Sequence, residues 1–173
     1  MTTGESRHDI DLALLRRVMG SFASGVTVVL ADVGGEIKGM TANAFLSGSL
    51  EPPLCVVSVA KRAHMHAHLT AAGRFSVNIL AASQETVALR FAGRTPEDSP
   101  PVFQQHDGVP LLSGTAAQLS ADVTAAHDCG DHTLFVGRIS WVGANDRMPL
   151  LYHAGRFASL VPREDTGPLL EFW

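Results

Sequence analysis

The 173-residue chain is 46% hydrophobic and 17% charged, a globular balance with enough length to bury the core of one domain. Its net charge of −4 and its lack of any Lys/Arg block exclude the electrostatic footprint of a nucleic-acid binder. No apolar run is long enough to cross a bilayer and no signal-peptide h-region is present, so a cytoplasmic protein is expected. We expect a single domain over residues 1–173, with a core of 12–160 and a C-terminal tail of 161–173.

In chain order, Leu14, Leu15, Val18 and Phe22 share one face of a helix over 9–22, with Asp9 or Asp11 able to cap it and Gly25 as a stop. "GVTVVLAD" is a β-branched strand, Gly34-Gly35 a hairpin turn, and "EIKGMTA" the antiparallel return. The stretch "GMTANAFLSGSLEPPL", Gly39 to Leu54, which begins within that return, has the pattern of neither a good helix nor a clean strand. It is a ledge: Ala42, Ala44 and Gly48 leave backbone approachable, while Thr41, Asn43, Ser47 and Ser49 add polar side chains. Such a ledge suits the face of a flat heteroaromatic ring. It suits a small-residue turn at a barrel corner as well.

"LCVVSVA" is a buried strand. "HMHAHLTAAG" is a short helix ended by Gly73. "RFSVNIL" alternates as a strand, and "SQETVALRFAG" is a helix with Ser83 as N-cap. Residues 94–109 read as a long Pro-rich loop. Two long β runs, "AAQLSADVTAAHD" and "HTLFVGRISWVGA", and a final strand or hairpin in "PLLYHAGRFASL" complete the chain. Strands close enough to pair antiparallel dominate, which predicts a mainly β, antiparallel barrel with peripheral helices. No Rossmann fingerprint, nucleophile elbow, zincin motif or P-loop occurs. Cys55 and Cys129 have no zinc or redox spacing, and a disulfide between them is not expected in a cytoplasmic protein. His64 and His68 share a helix face, but no third metal ligand is evident and a solvated face is the better reading, so no metal is expected.

The run "FASGVTVVLADVGGEIKGMTANAFLSGSLEPPLCVVSVA" resembles the N-terminal half of the flavin reductase family, the split-barrel flavin:NAD(P)H reductases of two-component monooxygenases. "RFSVNIL", "LRFAG", "GVPLL", "DCGDHTLFVGRI" and "PLLYHAGRF" continue the likeness in order. The resemblance implies a homodimer of six-stranded Greek-key split barrels that binds FMN or FAD near the dimer interface, takes hydride from NADH or NADPH, and supplies reduced flavin to a partner monooxygenase. By position it implies that Thr41, Ala42, Asn43 and Ala44 line the isoalloxazine and that Ser47 and Ser49 follow its edge or ribityl chain.

The resemblance also places Ala60, Lys61 and Arg62 in the flavin-phosphate loop. Where the family usually has Ser and Thr after that loop, this chain has Ala63 and Met65, so phosphate binding should rest on Lys61, Arg62 and helix N–H groups. His132, with Asp131 in the "GDH" triplet, falls in the nicotinamide pocket by the same resemblance, as the catalytic positioning group. The other reading is a His bonded to Asp131 that only holds a strand start. His153 matches a position near the active site; barrel packing or a dimer contact serves it and Tyr152 equally. The rivals are a reductase that retains its flavin for electron transfer and a non-enzymatic split barrel holding flavin or haem. A pyridoxamine-phosphate oxidase relative is disfavoured by "GDH" and "TANAF". The apolar tail residues Leu169, Leu170, Phe172 and Trp173 are expected to dock on the barrel or on a second subunit.

Overall fold

The computed structural model describes residues 10–94 and 100–161, so the tail docking lies outside the described residues. Helix α1 is Leu12–Gly20. The Asp11 carboxylate accepts a 2.8 Å bond from the Ala13 N–H and caps its first turn. The helix ends earlier than the apolar pattern predicts, at the Ser21 C-cap, and Gly25 is not its stop but part of β1 (Ser24–Gly25). No residue of α1 is buried.

Then come β2 (Thr27–Val33), β3 (Glu36–Ala42), β4 (Phe45–Leu50), β5 (Pro53–Ala60), α2 (His64–Ala72), β6 (Arg74–Ile79) and α3 (Glu85–Phe91). The hairpin β7 (Phe103–His106) and β8 (Val109–Leu112) follows, then the long strands β9 (Ala117–Cys129) and β10 (His132–Ala144). Strands β11 (Leu150–His153) and β12 (Arg156–Ser159) close the chain.

Seven strands form one antiparallel sheet in the order β3-β2-β6-β9-β10-β5-β4. Side chains from across it, including Val29 of β2, Val57 of β5, Phe75 of β6, Leu119 of β9 and Phe135 of β10, meet in a single buried cluster. Strands from both halves of the ladder can share one cluster only if the sheet curls around it. Met65 and Leu69 of α2 plug that cluster. The ladder differs from the expected six-stranded barrel: it has seven strands, and its edge strands β3 and β4 are linked through the Asn43–Ala44 turn. A second cluster lies on the opposite face of β2, where Val26, Val28 and Leu30 pack with Leu80, Ala88, Leu112 and Leu150. Strand β2 thus has cores on both sides, which is why its sequence is a near-continuous apolar run instead of an alternation.

Three further sequence readings change. The ledge is strand on both sides of its turn: residues up to Ala42 belong to β3, and Phe45–Leu50 form β4 with a bulge between Ser47 and Ser49. Ser83 does not cap α3; it is exposed, and Gln84 precedes the helix with no side-chain cap bond. The Gln84 side chain instead ties the entry down, accepting from the Ala81 N–H at 3.0 Å and donating to the Ser113 carbonyl at 2.9 Å. The span 94–109 is not one loop, because β7 and β8 pair from Phe103↔Leu112 to His106↔Val109. Their turn, Asp107-Gly108, has φ of 47° and 77°, the left-handed pair that a two-residue hairpin needs.

Candidate functional site

Two neighbourhoods gather the chemistry. The first is a cavity of about 580 Å³ between the end of β3, the exposed side of α3 and the β11–β12 hairpin. Thr41, Ala42 and Asn43 form one wall, and Ala88, Leu89 and Ala92 of α3 form another. Tyr152 and Phe157 come from the hairpin, their rings 5.8 Å apart and edge-on. Arg94 and Arg156 enter from different segments, and Glu85 adds a carboxylate. Helix α3 can lie this close to β3 because residue 39 is glycine: a Cβ there would come within 2.6 Å of both Leu30 Cδ2 and Phe91 Cε1. The Thr41 hydroxyl donates to the Ala88 carbonyl at 2.6 Å, so it fastens the wall to the helix.

The second neighbourhood is the paired ends of β5 and β10. Ala60 is directly opposite His132, and the Lys61 N–H donates to the Asp131 carbonyl at 2.9 Å. The His132 Nδ1 lies 2.8 Å from Asp131 Oδ1. That hydrogen bond, the charge of His132 and, last, Arg62 hold the Asp131 carboxyl below the usual carboxylate range. An ionised carboxylate only accepts, so the proton of a neutral His132 ring sits on Nδ1 and Nε2 presents a lone pair. Lys61 Nζ is 3.2 Å from Asp128 Oδ1, which draws its charge partly away from any phosphate. Strand β5 joins this place to the ledge, since the Ser58 N–H donates to the Ala44 carbonyl at 3.0 Å.

The comparisons with known proteins identify the family of the domain that carries these residues. Residues 19–161 match the model of the flavin reductase like domain. The chain belongs to the flavin reductase-like family. It is 44% identical to an NADH-dependent flavin reductase of a Rhodococcus species, with 92% of each chain covered. It is 38% identical to the reductase component of a 4-hydroxyphenylacetate 3-monooxygenase from Thermus thermophilus, covering 84% of this chain and 95% of that one. The solved structure of the flavin reductase PheA2 superposes with a TM-score of 0.86 at 36% identity, covering 88% of this chain and all of the other.

Within this flavin reductase-like domain the expected site residues divide. Thr41, Ala42 and Asn43 line the cavity; Ala60, Lys61, Arg62, Asp131 and His132 form the β5–β10 group; Ala44 lies at the turn between β3 and β4. Ser47 is exposed on β4, and the Ser49 hydroxyl accepts a 3.2 Å bond from the Glu51 N–H. His153 is exposed and ends β11 opposite Arg156; its neighbour Tyr152 is the one that lines the cavity. Met65 is buried and structural, and Ala63 is the α2 N-cap with no side-chain bond. His66 Nε2 lies 2.9 Å from Thr133 Oγ1 and its ring packs edge-on to Phe135, so the middle His of the H-x-H-x-H run is a packing residue.

Among the described residues no group of three or more His, Cys, Asp or Glu side chains could hold a metal, and no helix is long and apolar enough to cross a membrane. Both cysteines are free; burial pushes the Cys55 thiol up to about 11, whereas Cys129 is exposed. The sequence reading missed Arg94 and Arg156. The available signal was a guanidinium directly after each glycine of "FAGR" and "HAGR".

Proposed function

We propose that this chain reduces FMN or FAD with hydride from NADH and passes the reduced flavin to a separate monooxygenase, working as a homodimer. One observation carries the reading: Ala42 and Asn43, in the segment with the family's flavin-side resemblance, wall a cavity of ligand size. The names of the relatives support NADH as donor and a monooxygenase as recipient.

The lining fits a flavin. Ala42, Ala88, Ala92 and Gly155 leave room for a planar ring, and the Tyr152–Phe157 pair offers aromatic surface beside it. When bound, the flavin supplies the hydride acceptor and NADH the donor, so the protein needs no obligatory acid. Ala42, Asn43 and Ala44 would border the ring, and for FMN Arg62 with the start of α2, which has no side-chain cap of its own, would hold the terminal phosphate. His132 positions the donor. Its neutral Nε2 accepts from an amide N–H such as that of a nicotinamide carboxamide, while protonation turns Nε2 into a donor toward an anion.

Exposed apolar side chains on α1 and just beyond it support the homodimer. Leu12, Val18, Met19 and Phe22 are 58–80% exposed, a patch that a lone soluble chain rarely leaves open. A second copy is the partner of matching hydrophobic character. Size-exclusion chromatography with light scattering should report a dimer, and Phe22→Asp should shift it toward monomer.

The deciding test follows NADH and NADPH absorbance with purified protein and added FMN or FAD. Oxidation that depends on added flavin supports the reading. Oxidation by tightly retained flavin alone replaces it with an electron-transfer reductase, and no oxidation with any pair from folded protein sinks it.

A further inference from the structure

The cavity holds more positive charge than a flavin ring requires. Arg94 leaves the end of α3 and Arg156 opens β12, so two separate segments each bring an arginine to the lining of one cavity. Among the described residues neither forms a salt bridge, and the carboxylate in the lining, Glu85, is paired with neither of them. Like charges gathered in one concavity repel unless an anion lies between them. The Arg156 side is also fixed: Ala154 and Gly155 turn the hairpin with φ of 49° and 80°, which sets the direction in which residue 156 leaves. Leu89, Ala92 and the Tyr152–Phe157 rings line the same cavity and give it apolar surface.

We infer that this cavity takes the diphosphate of a dinucleotide, gripped by Arg94 and Arg156. Guanidinium forks match phosphate oxygens in pairs, and two forks from independent segments suit two linked phosphates better than one. Glu85 is then available to accept from ribose hydroxyls. The inference rests on the reductase reading, under which both FAD and NADH carry this group. It makes Arg94 and Arg156 the residues that separate dinucleotides from FMN.

The test uses full-length Arg94→Gln, Arg156→Gln and the double variant, with thermal melts as the folding control. Binding of FAD, FMN and NADH is measured by fluorescence titration, and inorganic pyrophosphate is added as competitor. Each single change should weaken a dinucleotide about tenfold while FMN is spared, and pyrophosphate should compete in the wild type but not in the double variant. Arg156→Lys, which keeps charge but loses the fork, should fall between. Loss for FAD alone assigns the diphosphate to the flavin, and loss for NADH alone assigns it to the nicotinamide dinucleotide; either supports the site. Unchanged dinucleotide binding, or an equal loss for FMN, overturns it. A wild type that binds a dinucleotide without hydride transfer sinks the reductase reading and leaves this site standing. Normal turnover with dinucleotide binding untouched in the variants does the reverse.

Discussion

Thr41 is the ledge residue whose role the structure most redefines, and Thr41→Val tests it with a near-isosteric change. The hydroxyl donates at 2.6 Å to the Ala88 carbonyl. That carbonyl also accepts the helical bond from the Ala92 N–H at 3.0 Å, so valine leaves it with a partner. The full penalty for an orphaned buried acceptor does not apply, and the loss should be that of one ordinary hydrogen bond, about 1 kcal/mol. For a chain of this length that is a fall in melting temperature of about 2–4 °C. Urea unfolding, at matched protein concentration because of any dimer linkage, should show a lower midpoint with an unchanged slope. Flavin affinity should change little, since the hydroxyl is engaged with the helix. Unchanged stability with a large loss of flavin affinity would refute the tether and make Thr41 a direct ligand donor.

Three other outcomes are expected. His132→Ala should cut NADH-driven turnover sharply while flavin binding stays near normal, with stopped-flow hydride transfer as the readout; it should also let the Asp131 carboxyl rise toward the ordinary carboxylate range. The sign follows from the depressed value: the His132–Asp131 contact stabilises above the ordinary carboxylate range and is lost as pH falls through the lowered one, which carboxyl NMR shifts will follow. A thiol reagent at neutral pH should modify Cys129 quickly and Cys55 only after denaturation, because Cys55 is fully buried and its thiol is raised to about 11; mass spectrometry of the tagged peptides checks this. Asn78→Leu should cost about 3 kcal/mol in urea unfolding: the buried amide bonds the Val28 carbonyl at 3.0 Å and the Leu112 N–H at 2.8 Å, and leucine strands that N–H.

The core strands and the tight turns were legible because each has a local cause. The apolar run of β2 and the Gly34-Gly35 turn need no knowledge of distant contacts. The α2 stop at Gly73 was legible for the same reason, its φ of 66° being one that glycine accepts freely. The β7–β8 hairpin was also written locally, in Asp107-Gly108, but the prolines before it hid the signal. Ser83 misled because a capping residue type two positions before a helix is not a cap; the entry of α3 is held by Gln84, whose partner Ser113 is distant in sequence. The candidate site was legible only as fragments. Ala42 and Asn43 carry a recognisable pattern, whereas Arg94 and Arg156 become neighbours of that pattern only through packing of α3 and the last hairpin. Gly39 illustrates the same limit, since its smallness serves helix packing and not ligand approach.

Strand β2 is a party wall between two cores, and this shapes how the protein can change over generations. A substitution at Val28 or Val29 must satisfy neighbours on its own side while the backbone they share stays in place for the other. Variation there should be confined to near-isosteric exchanges. The cavity is bordered by α3 and the β11–β12 hairpin, whose Ala88 and Leu150 belong to the second core, but its exposed lining residues Glu85, Arg94 and Arg156 can be altered without moving that wall. The fold therefore separates a part that resists rewriting from a part that can be rewritten, and a new ligand preference can arise at little risk to folding.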